Sequence, residues 1–175
     1  DSPRHEQVLT ALNDVAHLLY QGVSKVTGEA RAILAPLLSK RGGDPSLRIS
    51  AVGHAHMDLA WLWPIRETIR KGARTFSTAL ALMDRYPDYV FGASQAQYHL
   101  WMKERYPALY AKMKRRVAEG RLVPQGAMWV EADTNVSGGE ALVRQVVMGK
   151  RFFRQEYGID VRYLWLPDVF GYTGS

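Results

Sequence analysis

The 175 residues contain no cysteine, which removes disulfides, thiolate metal sites and cysteine nucleophiles together. That composition fits a reducing compartment, and the expected location is cytoplasmic. No apolar run reaches the roughly 18 residues that a membrane-spanning helix requires. No internal repeat or low-complexity segment interrupts the chain. No signal peptide is visible, although the chain begins at Asp1 without methionine, so an upstream segment could have been removed. Charge of one sign does not dominate either, since the formal net charge is +6. The densest basic stretch, Lys112-Met113-Lys114-Arg115-Arg116, has no interleaved aromatics and belongs to no nucleic-acid motif. It is expected to be one solvated helix face, and neither nucleic acid nor membrane is an expected partner.

What is present suffices for a globular core: 47% of residues are hydrophobic and 23% charged, within the ordinary range for a folded domain. Ser2-Pro3 offers an N-cap and a first helical proline, and Val8, Leu12, Val15 and Leu19 recur at helical spacing up to Gly22. A second helix is expected from Glu29 to Lys40, with Pro36 as a possible kink. Residues 1–46 form a helical N-terminal segment without recognisable site chemistry. From Leu47 the pattern changes. Strands are expected at Leu47–Val52, at Tyr89–Ala93, within Arg121–Val130 and at Val161–Leu166. Helices are expected at Arg66–Arg85, over Tyr98–Glu119 with an interruption near Pro107, and after a capping box at Ser137-Gly138-Gly139-Glu140. The last of these turns Leu142, Val146, Phe153 and Tyr157 inward. Alternating strands and helices over residues 47–175 predict an α/β fold with parallel strands, as an open sheet or a barrel.

In parallel α/β folds ligands sit where the strands end. Those ends carry His54, His56 and Asp58, then Ser94 to Gln97, then Glu131 and Asp133, then Asp168. The strand starts carry Arg48, Arg121 and Arg162 instead. Imidazoles and carboxylates on one rim favour a cation site there. If the backbone stays extended past Val52, residues 54, 56 and 58 project to one side. H-x-H-x-D can then offer nitrogen and oxygen to a single ion, a mixture zinc accepts at about 2.0–2.2 Å. Asp168 is the best remote candidate for a further ligand. The plainer alternative is that the two histidines are hydrogen-bonded at the strand end and Asp58 caps the next helix. Trp61 and Trp63 divide between helix-start packing and a sugar platform; Trp101, Trp129 and Trp165 are expected in the core.

Five strings taken in order, HAHMDLAWLWP, GAMWVEADTN, SGGEALVRQ, GKRFFRQEYGID and WLPDVFGYTGS, resemble the catalytic domain of the family 38 glycoside hydrolases, the α-mannosidases, and most of all their bacterial and cytosolic-type branch. The resemblance runs from Arg48 to Ser175. It implies the N-terminal part of an irregular seven-stranded α/β barrel-like domain. It also implies a retaining, zinc-dependent exo-hydrolase that removes terminal α-linked mannose from oligosaccharides. Carried over residue by residue, His56, Asp58 and Asp168 bind the metal, Asp168 is also the nucleophile, and Trp61 packs against the mannose ring. His54 is expected to support the site rather than to ligate. Glu131 and Asp133 fall in a pocket-lining segment. EADTNVSGGE there departs from relatives, which often have proline after the glutamate and a leucine-proline pair before the serine, so the two acids are assigned only to support or pocket lining.

A retaining glycosidase needs a carboxylate nucleophile and a second carboxyl group about 5–5.5 Å away. In relatives that acid/base and a fourth metal ligand, a histidine, lie well downstream. The chain stops at Ser175, in what looks like the loop after a strand, so a fragment is expected, with three metal ligands and little or no hydrolysis of its own. Truncation would favour self-association. Zn2+ is the expected ion, and Co2+ or Mn2+ would also suit imidazole and carboxylates. The competing expectations are a metal-dependent carbohydrate deacetylase that uses metal-activated water, and a non-catalytic remnant that binds sugar or a partner protein.

Overall fold

The computed structural model describes residues 3–20, 26–39 and 49–172. The chain divides into two units, Asp1–Ser50 and Ala51–Ser175. In the first, α1 (Pro3–Tyr20) packs against α2 (Val26–Leu38). Pro3 opens α1, where its missing N–H costs nothing, and Pro36 lies inside α2. The expected cap Ser2, the stop at Gly22 and the domain boundary between residues 46 and 47 lie outside the described residues. Among the described residues no helix is long and apolar enough to cross a membrane.

The second unit is α/β. Its three strands, β1 (Gly53–His54), β2 (Phe91–Ala93) and β3 (Leu122–Pro124), pair in parallel in the order β1-β2-β3. Parallel neighbours need long crossovers, and α3 (Ile65–Arg85), α4 (Ala96–Arg105) and α5 (Pro107–Ala118) provide them, with α6 (Gly139–Tyr157) after β3. On α3, Thr68, Gly72, Phe76, Ala79 and Met83 recur at intervals of three and four and are all buried, the stripe an amphipathic helix turns to a core. Pro107 divides α4 from α5 as expected: it excludes the helical conformation at Tyr106, whose φ is −135° and ψ 60°. Gly158, in the left-handed region at φ 72°, ends α6. Phe76, Met83, Tyr98, Met102, Met113 and Leu122 form the larger core, and Phe152, Phe153 and Val161 anchor a smaller one. The basic run on α5 is exposed apart from Met113, which is buried, and Arg116, which is half-buried and pairs with Asp84 and Glu119.

Three expectations are corrected. The first strand begins later, at Gly53, because its partner β2 starts only at Phe91 and the register pairs Gly53 with Phe91 and His54 with Gly92. Residues 49–52 are not in a strand, and Leu47 and Arg48 lie outside the described residues. The segment Val161–Leu166 is not a strand. Side chains take up the first and last of its backbone acceptors: Lys150 Nζ donates to the Val161 carbonyl at 2.5 Å, and Tyr172 OH to that of Leu166 at 2.6 Å. The capping box is absent too. Gly138, not Ser137, is the N-cap, with no side-chain cap, and Glu140 pairs with Arg144 at 2.8 Å. Asp133 organises that loop instead, accepting from the N–H groups of Asn135 at 2.8 Å and Val136 at 3.0 Å.

Candidate metal centre

The β1 ladder ends at His54, so the chain beyond it emerges from the carboxyl end of the sheet. His56 and Asp58 lie there, beside the segment that leaves β3. His56 is the hub. Its Nδ1 lies 2.8 Å from Glu131 Oε2, while its Nε2 lies 3.2 Å from Asp58 Oδ1 and 3.5 Å from Asp168 Oδ2. His56, Asp58 and Asp168 each offer one ligand atom, and the three atoms lie within 4.8 Å of one another. A cavity of about 220 Å³ opens over them, lined by His56, Asp58, Gln95, Glu131 and Asp168 among others.

The donor set fits a divalent ion. A carboxylate accepts and cannot donate, so Nδ1 carries the proton of the His56–Glu131 contact, and Nε2, which faces the two aspartates, is the nitrogen that would ligate an ion held between them. Ligand atoms about 2.1 Å from one tetrahedral ion stand about 3.4 Å apart, close to the 3.2 and 3.5 Å separations seen here. Carboxylate, imidazole and metal in series is the usual support of a metal-binding histidine. The Glu131 side chain is only 4% exposed, and Ser94 Oγ donates to its other oxygen at 2.8 Å. The Asp168 side chain is half exposed and open to a ligand.

The other expected site residues are placed differently. Both His54 nitrogens are engaged: Nδ1 lies 3.0 Å from the Gly92 carbonyl, and Nε2 accepts from Trp165 Nε1 at 3.0 Å. His54 therefore has no lone pair to spare for the cluster. Asp133 is outside it as well, holding its own loop and lying against Gly171. Trp61 is 69% exposed and stands edge-on to Trp63, with ring centroids 5.5 Å apart. Trp63 is half-buried, donates to Thr68 Oγ1 at 3.1 Å and lies beneath Lys71 Nζ. Trp101 and Trp129 pack half-buried on the two cores, whereas Trp165 is 39% exposed because its N–H reaches out to His54. Two other hollows of the second unit, one beside Asp84 and Arg116 and one over Tyr89 and Arg74, bring together no comparable donor set.

Three residues in the site carried no signal that sequence reasoning could weigh. Ser94 and Gln95 stood on the expected rim without a role, and Tyr98 read only as the start of a helix. Tyr98 OH donates to the Asp58 carbonyl at 2.8 Å and lies 3.3 Å from that of Met57. Burial foremost, then the charges of Asp58 and Glu131, pushes its phenol well above the usual range, so it remains a donor. Arg121, expected on the opposite rim, donates to the carbonyls of Met83, Tyr86 and Tyr89 at the end of α3.

Residues 46–175 match the model of the glycosyl hydrolases family 38 N-terminal domain. The chain is 42% identical over 175 residues to alpha-mannosidase 2C1 of Homo sapiens, which covers all of this chain and 17% of that protein. It is 43% identical over 128 residues to alpha-mannosidase of Saccharomyces cerevisiae, 73% of this chain and 12% of that one. Its fold is similar to the crystal structure of an alpha-mannosidase from Enterococcus faecalis V583, with a TM-score of 0.63 and 25% identity, covering 70% of this chain and 14% of that chain. The chain thus spans less than a fifth of the length of each of these relatives.

Proposed function

The chain belongs to glycosyl hydrolase family 38, and from that premise we propose that it supplies the metal-holding and nucleophile-bearing part of a retaining, exo-acting α-mannosidase. The substrate is a glycan that ends in α-linked mannose. His56, Asp58 and Asp168 hold a divalent ion, Zn2+ first and Co2+ as a fitting substitute. When bound, the ion supplies positive charge that orients sugar hydroxyls and favours ring distortion. The Asp168 carboxylate attacks the anomeric carbon. The leaving oxygen takes a proton from a second carboxyl group, and water then opens the glycosyl ester with that group as base. Trp61, exposed three residues beyond Asp58, offers its indole face to the C–H face of the sugar. Glu131, bonded to His56 and Ser94, orients the imidazole and is not the proton donor.

One observation carries this proposal: an imidazole nitrogen and two carboxylates, from segments more than a hundred residues apart, converge within 4.8 Å. Among the described residues no further carboxyl group stands uncommitted in that cluster. Hydrolysis of an aryl α-mannoside by this chain alone is therefore expected to be slow or absent. An anomalous-scattering map at the zinc edge tests the site, with a peak shared by His56, Asp58 and Asp168 as the expected result. No peak, or one bound elsewhere, would overturn it.

A further inference from the structure

We infer that Gln95 is a positioning residue for the ion-binding cluster, with its side-chain amide fixing the distance between the loop that carries His56 and Asp58 and the loop that carries Glu131. The inference rests on the metal-binding role proposed above. β1 ends at His54, so Met57 and Asp58 lie beyond the ladder and have no strand neighbour to hold them. Gln95 takes over that task. Its Nε2 donates to the Met57 carbonyl at 3.0 Å, and its Oε1 accepts the Glu131 N–H at 3.3 Å. One planar amide thus ties together the two segments between which the 2.8 Å bond from His56 to Glu131 is made. Its neighbours complete the brace: Ser94 Oγ holds the Glu131 carboxylate, and Tyr98 OH the Asp58 carbonyl.

The residue type and the backbone both fit this task. A glutamine amide gives a donor at one corner and an acceptor at the other without carrying charge into a buried position. Gln95 is 4% exposed, so water does not compete for either bond. Its φ is 62° with ψ at 94°, a conformation that residues with a side chain rarely adopt. Such strain persists where the surroundings over-determine it. Both amide bonds end on the segments that carry the cluster, not on the apolar core. A looser pair of loops would leave the ligand atoms misplaced, and metal affinity is sensitive to such support.

Co2+ alone, titrated into the full chain, is the probe. Its visible absorption reports coordination geometry, and competition with a chromophoric chelator reports affinity. Gln95→Met keeps the length of the side chain and removes both hydrogen bonds. Gln95→Gly removes them while relieving the positive φ, so it remains informative if the first variant fails to fold. Phe152→Leu, in the smaller core, is the control for general destabilisation. Both Gln95 variants should lose about tenfold or more in Co2+ affinity and show an altered band. Phe152→Leu should lower the melting temperature and leave band and affinity unchanged. Unchanged affinity and band in either folded Gln95 variant would overturn the inference, as would an equal loss in Phe152→Leu. A parent chain with no Co2+ band would instead overturn the metal site itself, and the inference with it.

Discussion

Gly149 lies where α6 crosses the segment leading to Glu131, and replacing it with alanine separates a packing requirement from an accident of composition. A Cβ there would stand 2.6 Å from the Met128 carbonyl carbon and 2.8 Å from its oxygen, and closer still to the Ala127 carbonyl oxygen. These are backbone atoms, so no side chain can swing aside. Ordinary contact begins at 3.4 Å, and helix and segment would have to part by at least about 0.8 Å. The same face is joined by the Trp129 N–H to the Gln145 carbonyl at 2.9 Å and by the Val130 N–H to Gln145 Oε1 at 2.8 Å, and separation lengthens both. Overpacking costs about 1–3 kcal/mol, and the weakened hydrogen bonds add about 0.5–1.5 kcal/mol each. Alanine returns only about 0.5–1 kcal/mol over glycine in a helix interior. The net is a loss of about 1–5.5 kcal/mol, or roughly 2–20 °C in melting temperature for a chain of this size. Without the close approach, the same substitution would raise the melting temperature by about 1–4 °C, so the sign alone decides. Far-UV circular dichroism melts of Gly149→Ala and of Gly139→Ala, whose Cβ meets nothing within 4 Å, make the comparison. A Gly149→Ala protein that melts at or above the parent would refute the packing argument.

Four further outcomes are expected. Glu131→Gln replaces the acceptor behind His56 Nδ1 by a weaker, neutral one and should lower Zn2+ affinity about tenfold in calorimetric titration; full affinity would show that the 2.8 Å contact is idle. Burial lowers the His99 imidazole to about 3, against a smaller opposing pull from the Ala93 carbonyl. The unfolded chain then binds a proton that the folded one refuses, so the stability from neutral His99 is complete above about pH 6.5 and is lost as pH falls towards 3, by up to about 1.4 kcal/mol per pH unit. His99→Gln, which keeps a partner for the Tyr157 hydroxyl 2.8 Å from Nδ1, should flatten the acid limb of urea midpoints, and an unchanged limb would count against a buried neutral ring. Trp61→Ala should leave the melting temperature nearly unchanged, within about 0.5 kcal/mol, while weakening mannose binding followed by ligand-observed NMR; equal binding would remove Trp61 from the sugar site. Azide added to an Asp168→Ala form of a catalytically competent α-mannosidase carrying this segment should yield a mannosyl azide, and failure to do so would point to water as the attacking group.

Residue type, spacing and punctuation were legible locally. The amphipathic stripe of α3, the break at Pro107 and the glycine stop of α6 each depend on a few neighbouring residues, and the helices follow. The placing of His56 and Asp58 just past the end of β1 was legible in the same way, from chemistry-bearing side chains after an apolar run, whereas Asp168 reaches the cluster from a segment that is not a strand. What the sequence left open was pairing. The first strand starts at Gly53, where the register with β2 begins, and Val161–Leu166 joins no ladder, its first and last carbonyls accepting from Lys150 and Tyr172 instead. Spacing alone left the two histidines of H-x-H-x-D equivalent and only the family resemblance favoured His56; the tertiary structure supplies the physical reason. His54 spends both nitrogens on Gly92 and Trp165, and His56 gives one to Glu131, 75 residues away, and turns the other to Asp58 and Asp168. Local sequence determines which donors a segment can offer and which way its backbone tends to run. Which donors remain unspent is settled only when distant segments meet, because a hydrogen bond between remote residues leaves no periodic trace in either of them.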